Sequence, residues 1–268
     1  MNISVDLIKE LREITMASLK DCKESLVEAG GDMEKAKEIL KKKWLASAMK
    51  KWDRETKEWK FGYKLSSNTI GICKLWCETD FVAKNDLFIW LINNILDIAM
   101  DGDDDVASYE TLNWSKKEKI ESIVWEIVWK LGENMKVVDL IVKPTPSDHV
   151  YTYLHAWDKL ISIVYYNWDI GEDDIKKVAL QIAAMDPTYL SIENIPSENL
   201  DNMKKEFRDE VIASGKPESV VDNIVNGKLN KKYSEIVLLE QGYIWDETQK
   251  IKDIVWNIKI VWFDRMSF

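Results

Sequence analysis

The sequence predicts an α+β fold: an N-terminal module of three short helices, then a core in which a β-hairpin followed by a helix occurs twice, with a helical-hairpin arm. Three observations predict it. Apolar residues recur at helical spacing through the first forty positions. Two stretches of β-branched and aromatic residues around turn signals lie far apart in the chain, each followed by a helix-like run. Late in the chain, two helical runs flank Gly215-Lys216-Pro217.

In residues 4–43, Leu7, Ile8, Leu11 and Ile14 share a helical face, as do Leu19, Cys22 and Leu26, and then Ala36, Ile39 and Leu40. Gly30 and Gly31 separate the second and third helices, and Asp32 suits the N-cap of the third. Residues 1–44 form the first domain. Residues 45–58, with Lys50, Lys51, Arg54 and Lys57, read as a charged, solvated linker. The N-terminal core subdomain, 59–140, pairs 59–65 with 71–78 across a turn near 66–69. Helices over 86–100 and 116–131 follow, the latter stopped by Gly132. The C-terminal core subdomain, 141–268, pairs 150–155 with 159–166 and continues into a helix over 173–184. Its arm, at about 195–230, comprises helices 197–214 and 218–229, and a strand is expected over 254–263. The recurring hairpin-plus-helix reads as an internal duplication.

The 268 residues suffice for two or three small cores, and the net charge of −10 argues against a nucleic-acid footprint. No apolar run approaches the ~20 residues of a membrane helix, and the first ten residues lack a signal-peptide core. Three cysteines, Cys22, Cys73 and Cys77, make no disulfide framework. The expectation is a cytoplasmic protein with no nucleic-acid or membrane partner. No phosphate-binding glycine loop and no nucleophile elbow occur. The acidic run 101–105 resembles a calcium loop, but Val106 and Leu112 occupy the positions that need Gly and Glu. His149 and His155, six apart, complete no metal-ligand spacing. No metal site and no cofactor are expected.

Residues 77–85 read CETDFVAKN. By spacing alone this is a strand-to-helix junction, with Thr79 or Asp80 as cap and Phe81 and Val82 opening an apolar face. Other strings accompany it in order. They are Leu11-Arg12 leading to Thr15, Asp21-Cys22-Lys23, Ala29-Gly30-Gly31-Asp32 and Gly132-Glu133-Asn134-Met135. Tyr153 to His155, Met185-Asp186-Pro187, Ser214-Gly215-Lys216-Pro217 and Leu239-Glu240-Gln241 follow. Together they resemble the elongation factor Ts family, nucleotide-exchange factors for elongation factor Tu.

The resemblance implies that residues 1–44 are a ubiquitin-associated-like (UBA-like) module. It implies a partner, elongation factor Tu in GDP-bound and nucleotide-free forms, and a guanine-nucleotide exchange role in translation elongation. By resemblance the chain is a regulator and not an enzyme, promoting GDP release by disturbing the Mg²⁺/phosphate site of Tu. It assigns the inserted segment to Thr79, Asp80, Phe81, Val82, Ala83 and Lys84, with Phe81 as wedge and Asp80 as its polar neighbour. It also suggests Asp21, Cys22, Lys23 and His155 as contacts, each of which could equally be structural. The arm corresponds to a coiled-coil module that serves homodimerisation. Two departures stand out: Met16 and Ser18 replace a glycine-bearing loop, and Lys136 to Asp139 lack the family's arginines. Competing readings are an adaptor built on the helical module and a hydrolase using Asp80 or Glu78.

Thirteen tryptophans outnumber ten glycines, whereas glycine ordinarily makes up ~7% of residues. Trp44 is expected just past a helix end, and Trp157 and Trp168 in turns, all glycine-favouring places. We read these as UGA codons that the source organism decodes as glycine; the competing reading is a genuinely tryptophan-rich chain.

Overall fold

The structure, a computed structural model, describes residues 3–15, 17–102, 108–168, 172–256 and 259–267. Met16 and residues 103–107, which include the end of the acidic run, lie outside them. The chain divides into two compact units, Met1–Pro144 and Thr145–Phe268.

The first unit opens with α1 (Val5–Thr15), α2 (Leu19–Glu28) and α3 (Met33–Lys51). Leu11, Ala17, Cys22, Leu26, Ala36 and Leu40 form their shared core. Asp32 caps α3 by accepting the Lys35 N–H at 3.0 Å. Ser18 caps α2 by accepting the Asp21 N–H at 3.1 Å. α3 does not stop at residue 44. It continues to Lys51, through the first half of the expected linker. No Gly or Pro interrupts it, and Leu45, Ala46 and Met49 favour helix. Trp44 therefore lies inside a helix and not beyond its end.

Next come β1 (Glu58–Leu65), β2 (Thr69–Cys77), the single turn α4 (Asp80–Ala83), α5 (Asp86–Ala99), α6 (Trp114–Leu131) and β3 (Met135–Pro144). The sheet is antiparallel in the order β1-β2-β3, with a register shift between Lys74 and Leu75 where β2 meets β3. β3 was not expected from the sequence. α5 buries Phe88, Leu91, Ile92, Ile95, Leu96 and Ala99. Its close approach depends on Gly62, where an added Cβ would collide with Ile92 Cγ2. Gly132, at φ +81°, ends α6 as the sequence predicts.

The second unit repeats the plan. β4 (His149–His155) and β5 (Leu160–Asn167) form a hairpin, followed by α7 (Glu172–Met185). The arm is α8 (Ser197–Ala213) and α9 (Glu218–Ile236), packed through Val211, Val221, Val225 and Leu229. β6 (Gly242–Tyr243), β7 (Asp246–Lys250), α10 (Ile251–Ile254) and β8 (Lys259–Met266) complete it. The sheet order is β4-β5-β8, again antiparallel with a register shift where the central strand meets the third. The strand expected over 254–263 thus begins later, after a helical turn. Gln181, fully buried on α7, donates to Gln241 Oε1 and Gly242 O and accepts the Ile244 N–H, so that no polar atom of its amide is wasted.

None of the thirteen tryptophans is buried. Trp157 and Trp168 adopt φ of +61° and +78°. Among the described residues no helix is long and apolar enough to cross a membrane.

Candidate partner-binding segment

The segment from Glu78 to Asn85 is a capped single turn between the central strand of a sheet and a buried helix. β2 must end at Cys77 because the backbone turns away from β3 there; Cys77 opposite Met135 is the last register pair. Thr79 is extended (φ −128°, ψ +157°) and its hydroxyl accepts the Val82 N–H at 3.4 Å, so it is the N-cap of α4. Ala83 and Lys84 return hydrogen bonds to the carbonyls of Thr79 and Asp80, both at 3.1 Å. Asn85 then caps α5 by accepting the Leu87 N–H at 2.9 Å. Two caps within seven residues fix both ends of the turn.

The turn has an inner and an outer face. Val82 and Ala83 are buried against Cys77, Phe88 and their neighbours in the first unit's core. Phe81 points away and is 82% exposed. Full burial of such a side chain is worth roughly 1.5–3 kcal/mol, and here that energy is not used for folding. Asp80 and Lys84, one helical turn apart, are paired at 2.8 Å. Lys84's hydrogen bond is the main reason that the Asp80 carboxyl titrates below its ordinary value. Both side chains are about half exposed, so the pair adds little stability.

Beneath the turn, two carboxylates bracket the junction. Glu133 accepts the Thr79 N–H at 3.0 Å with one oxygen and the Thr79 hydroxyl at 2.6 Å with the other. Glu78 accepts the Asn134 N–H at 2.6 Å and meets Arg54 Nη1 at 3.4 Å. Each glutamate thus reaches across to the backbone beside the other. They take over as acceptors where the β2–β3 ladder stops. Asn134, 1% exposed, donates its amide to the carbonyls of Trp52 and Arg54 at 3.0 and 2.9 Å. This ties the chain leaving α3 to the same junction. The Cys77 thiol donates to the Thr79 carbonyl at 3.2 Å, and burial pushes its pKa up to about 12.

The other expected contacts lie apart from this turn in sequence and differ in exposure. Cys22 is fully buried in the N-terminal module and packs beside Thr15, so its side chain serves the core. Asp21 accepts the Ser18 hydroxyl at 2.6 Å, and Lys23 is exposed. His155 is exposed at the end of β4, with Nδ1 2.8 Å from Tyr153 Oη. Among the described residues no group of three or more His, Cys, Asp or Glu could hold a metal ion. Sequence reasoning missed Glu133 and Asn134 as parts of the site. Their string, Gly132 to Met135, contributes to the resemblance without a role attached to it.

Residues 78–267 match the sequence model of the family described as Elongation factor TS. The chain is 38% identical to the elongation factor Ts of Aquifex aeolicus, across 95% of this chain and 92% of that one. It is 38% identical to that of a Hydrogenobaculum species (94% and 93% covered) and 36% identical to that of Chlorobium phaeobacteroides (94% and 91%).

Proposed function

Because the chain belongs to the elongation factor Ts family, it is a translation elongation factor, and we propose that it acts as the guanine-nucleotide exchange factor for elongation factor Tu. It performs no covalent chemistry of its own. The single observation that carries this reading is Phe81, an 82% exposed aromatic on a turn whose other face is anchored in the core. Buried aromatic anchors dominate binding energies at interfaces. A rigid carrier spares the ordering cost of association. On docking, Phe81 inserts beside the Mg²⁺/phosphate site of Tu, with Asp80 and Lys84 as its polar flanks. GDP is held there by the ion and by charge-assisted hydrogen bonds. A factor that binds nucleotide-free Tu more tightly than Tu·GDP weakens GDP by the same ratio, as linkage requires. Asp21, Lys23 and His155 are secondary contacts in this reading.

The test is release of a fluorescent GDP analogue from Tu. Substoichiometric protein should accelerate it, and Phe81→Ala should lower the effect by roughly thirtyfold, the equivalent of a ~2 kcal/mol anchor. Wild-type exchange by a folded Phe81→Ala protein would remove the wedge from the mechanism.

A further inference from the structure

The bracket beneath the turn carries a further assignment, which rests on the wedge reading above. We propose that Glu133 is a positioning residue for exchange: by gripping both the N–H and the hydroxyl of Thr79, it sets the orientation in which Phe81 is presented. Thr79 is the residue that starts α4, and Phe81 is two residues on. The two oxygens of Glu133 lie 3.0 and 2.6 Å from the two Thr79 donors. That is a two-point hold on a cap, and two points fix direction where one would leave a pivot. Glu78 makes the reciprocal bond to Asn134, so the turn is held against residues more than fifty positions away. Charge-assisted bonds of this kind are about twice as strong as neutral ones. Val82 and Ala83 anchor the turn by apolar contact, but their burial does not fix the angle of the outer face.

Four proteins test this: wild type, Glu133→Gln, Phe81→Ala and the double variant, each assayed for catalysed GDP release from Tu. The glutamine is isosteric, but its carbonyl can accept only the Thr79 N–H and its amide meets the hydroxyl only by donating to it, so both contacts lose their charge assistance. Exchange should fall roughly tenfold, the loss expected when charge-assisted bonds become neutral ones. In the Phe81→Ala background the same change should have no further effect, because there is no ring left to orient. A merely structural role would lower both backgrounds by the same factor, and that result overturns the proposal, as does wild-type exchange by Glu133→Gln. Should Glu133→Gln fail to fold, Glu133→Asp, which keeps the charge but is one methylene short of the two-point hold, is read in the same cycle. If Phe81→Ala itself exchanges normally, the wedge reading fails. A loss with Glu133→Gln alone would then overturn positioning of Phe81 too.

A second, independent observation concerns the tryptophans. From the turn geometry of Trp157 and Trp168 and the exposure of the set, we infer that tryptophans, these two among them, stand at glycine positions of the cellular protein. None of the thirteen is buried, although tryptophan is on average a highly buried residue. Trp157 and Trp168 lie in the left-handed region, where bulky side chains are outliers. Trp114, Trp157 and Trp256 are more than three-quarters exposed. The indole Nε1 of Trp44 is buried and meets no hydrogen-bond partner among the described residues, against the usual pairing of buried Trp N–H groups. Protein isolated from its native source decides the matter. Its intact mass should be lighter by a whole number of tryptophan-to-glycine replacements, and peptide mapping should place glycine at 157 and 168. Tryptophan at both positions, with the full mass of the tryptophan-bearing chain, would overturn the inference. The bracket does not depend on the outcome, since only the main chain of Trp52 takes part in it.

Discussion

At the scale of single residues, the candidate site divides by whether its partners are near or far in sequence. Thr79 as a cap was legible, because a cap and the N–H it satisfies are three residues apart. The Thr79–Glu133 contact spans 54 positions, and no local pattern announces it. Exposure was half hidden: spacing made Phe81 and Val82 the start of an apolar face, and Val82 does go inward with Ala83, but the turn closes after one cycle and leaves Phe81 outside. The ionisable groups allow two predictions. The Asp80 carboxyl is held below its ordinary value of 3.8, chiefly by the hydrogen bond from Lys84. A depressed carboxylate contributes above its unfolded pKa and is lost as pH falls through the folded one. Lys84→Met should therefore move the acid limb of a pH–exchange profile to higher pH. Cys77 has the opposite sign. Its thiol rises from 9.0 to about 12 through burial, so its contribution to stability is complete below pH 9 and is lost as pH climbs towards 12. Because only the thiolate is nucleophilic, Cys77 should resist iodoacetamide at about pH 8 in the native protein and react on unfolding, as peptide mass spectrometry would show.

At the scale of elements, the hairpins, their following helices and the arm were readable because each is set by local chemistry. β3 was not. Its residues alternate poorly, with Val137 and Val138 adjacent and a register shift opposite Leu75, so a period-two pattern never forms. The end of α3 was misplaced for the converse reason: a lysine-rich stretch reads as linker, but lysine is a good helix former and nothing there stops the helix. Two substitutions test element packing. Gly62→Ala places a methyl against the branched side chain of Ile92 and must displace α5 from the sheet; a loss of about 1–3 kcal/mol in denaturant unfolding is expected. In the arm, Leu229 is 4% exposed within a core of only four buried side chains. Leu229→Ala should cost about 2–3 kcal/mol locally. Hydrogen exchange should show this as lost protection in α8 and α9, with the amides of β2 unchanged.

At the scale of the whole molecule, the duplication is the main regularity. Each unit lays a helix on a hairpin and then returns a third strand, antiparallel, to the free edge of the hairpin's second strand. The repeated hairpins were visible from composition; the shared third strand was not, since it arrives by different routes. In the first unit one long helix intervenes, and in the second the whole arm does. If the tryptophans are glycines, the effect is also global. A glycine in place of Trp44 would cost α3 about 1 kcal/mol near its middle.

The order β4-β5-β8 has a consequence for how the protein is made. β5 carries Ile161, Ile163, Val164 and Tyr165, all fully buried in the finished sheet, yet one of its edges stays open until residues 259–266 have been synthesised. The arm and the small β6–β7 pair are all translated in that interval. An apolar strand with an open edge is a template for pairing with another chain. Polypeptides interrupted before residue 259 should therefore aggregate, while those interrupted just after residue 144 already hold all three strands of their sheet. Aborted synthesis is thus far more hazardous in the second half of this chain than at its middle.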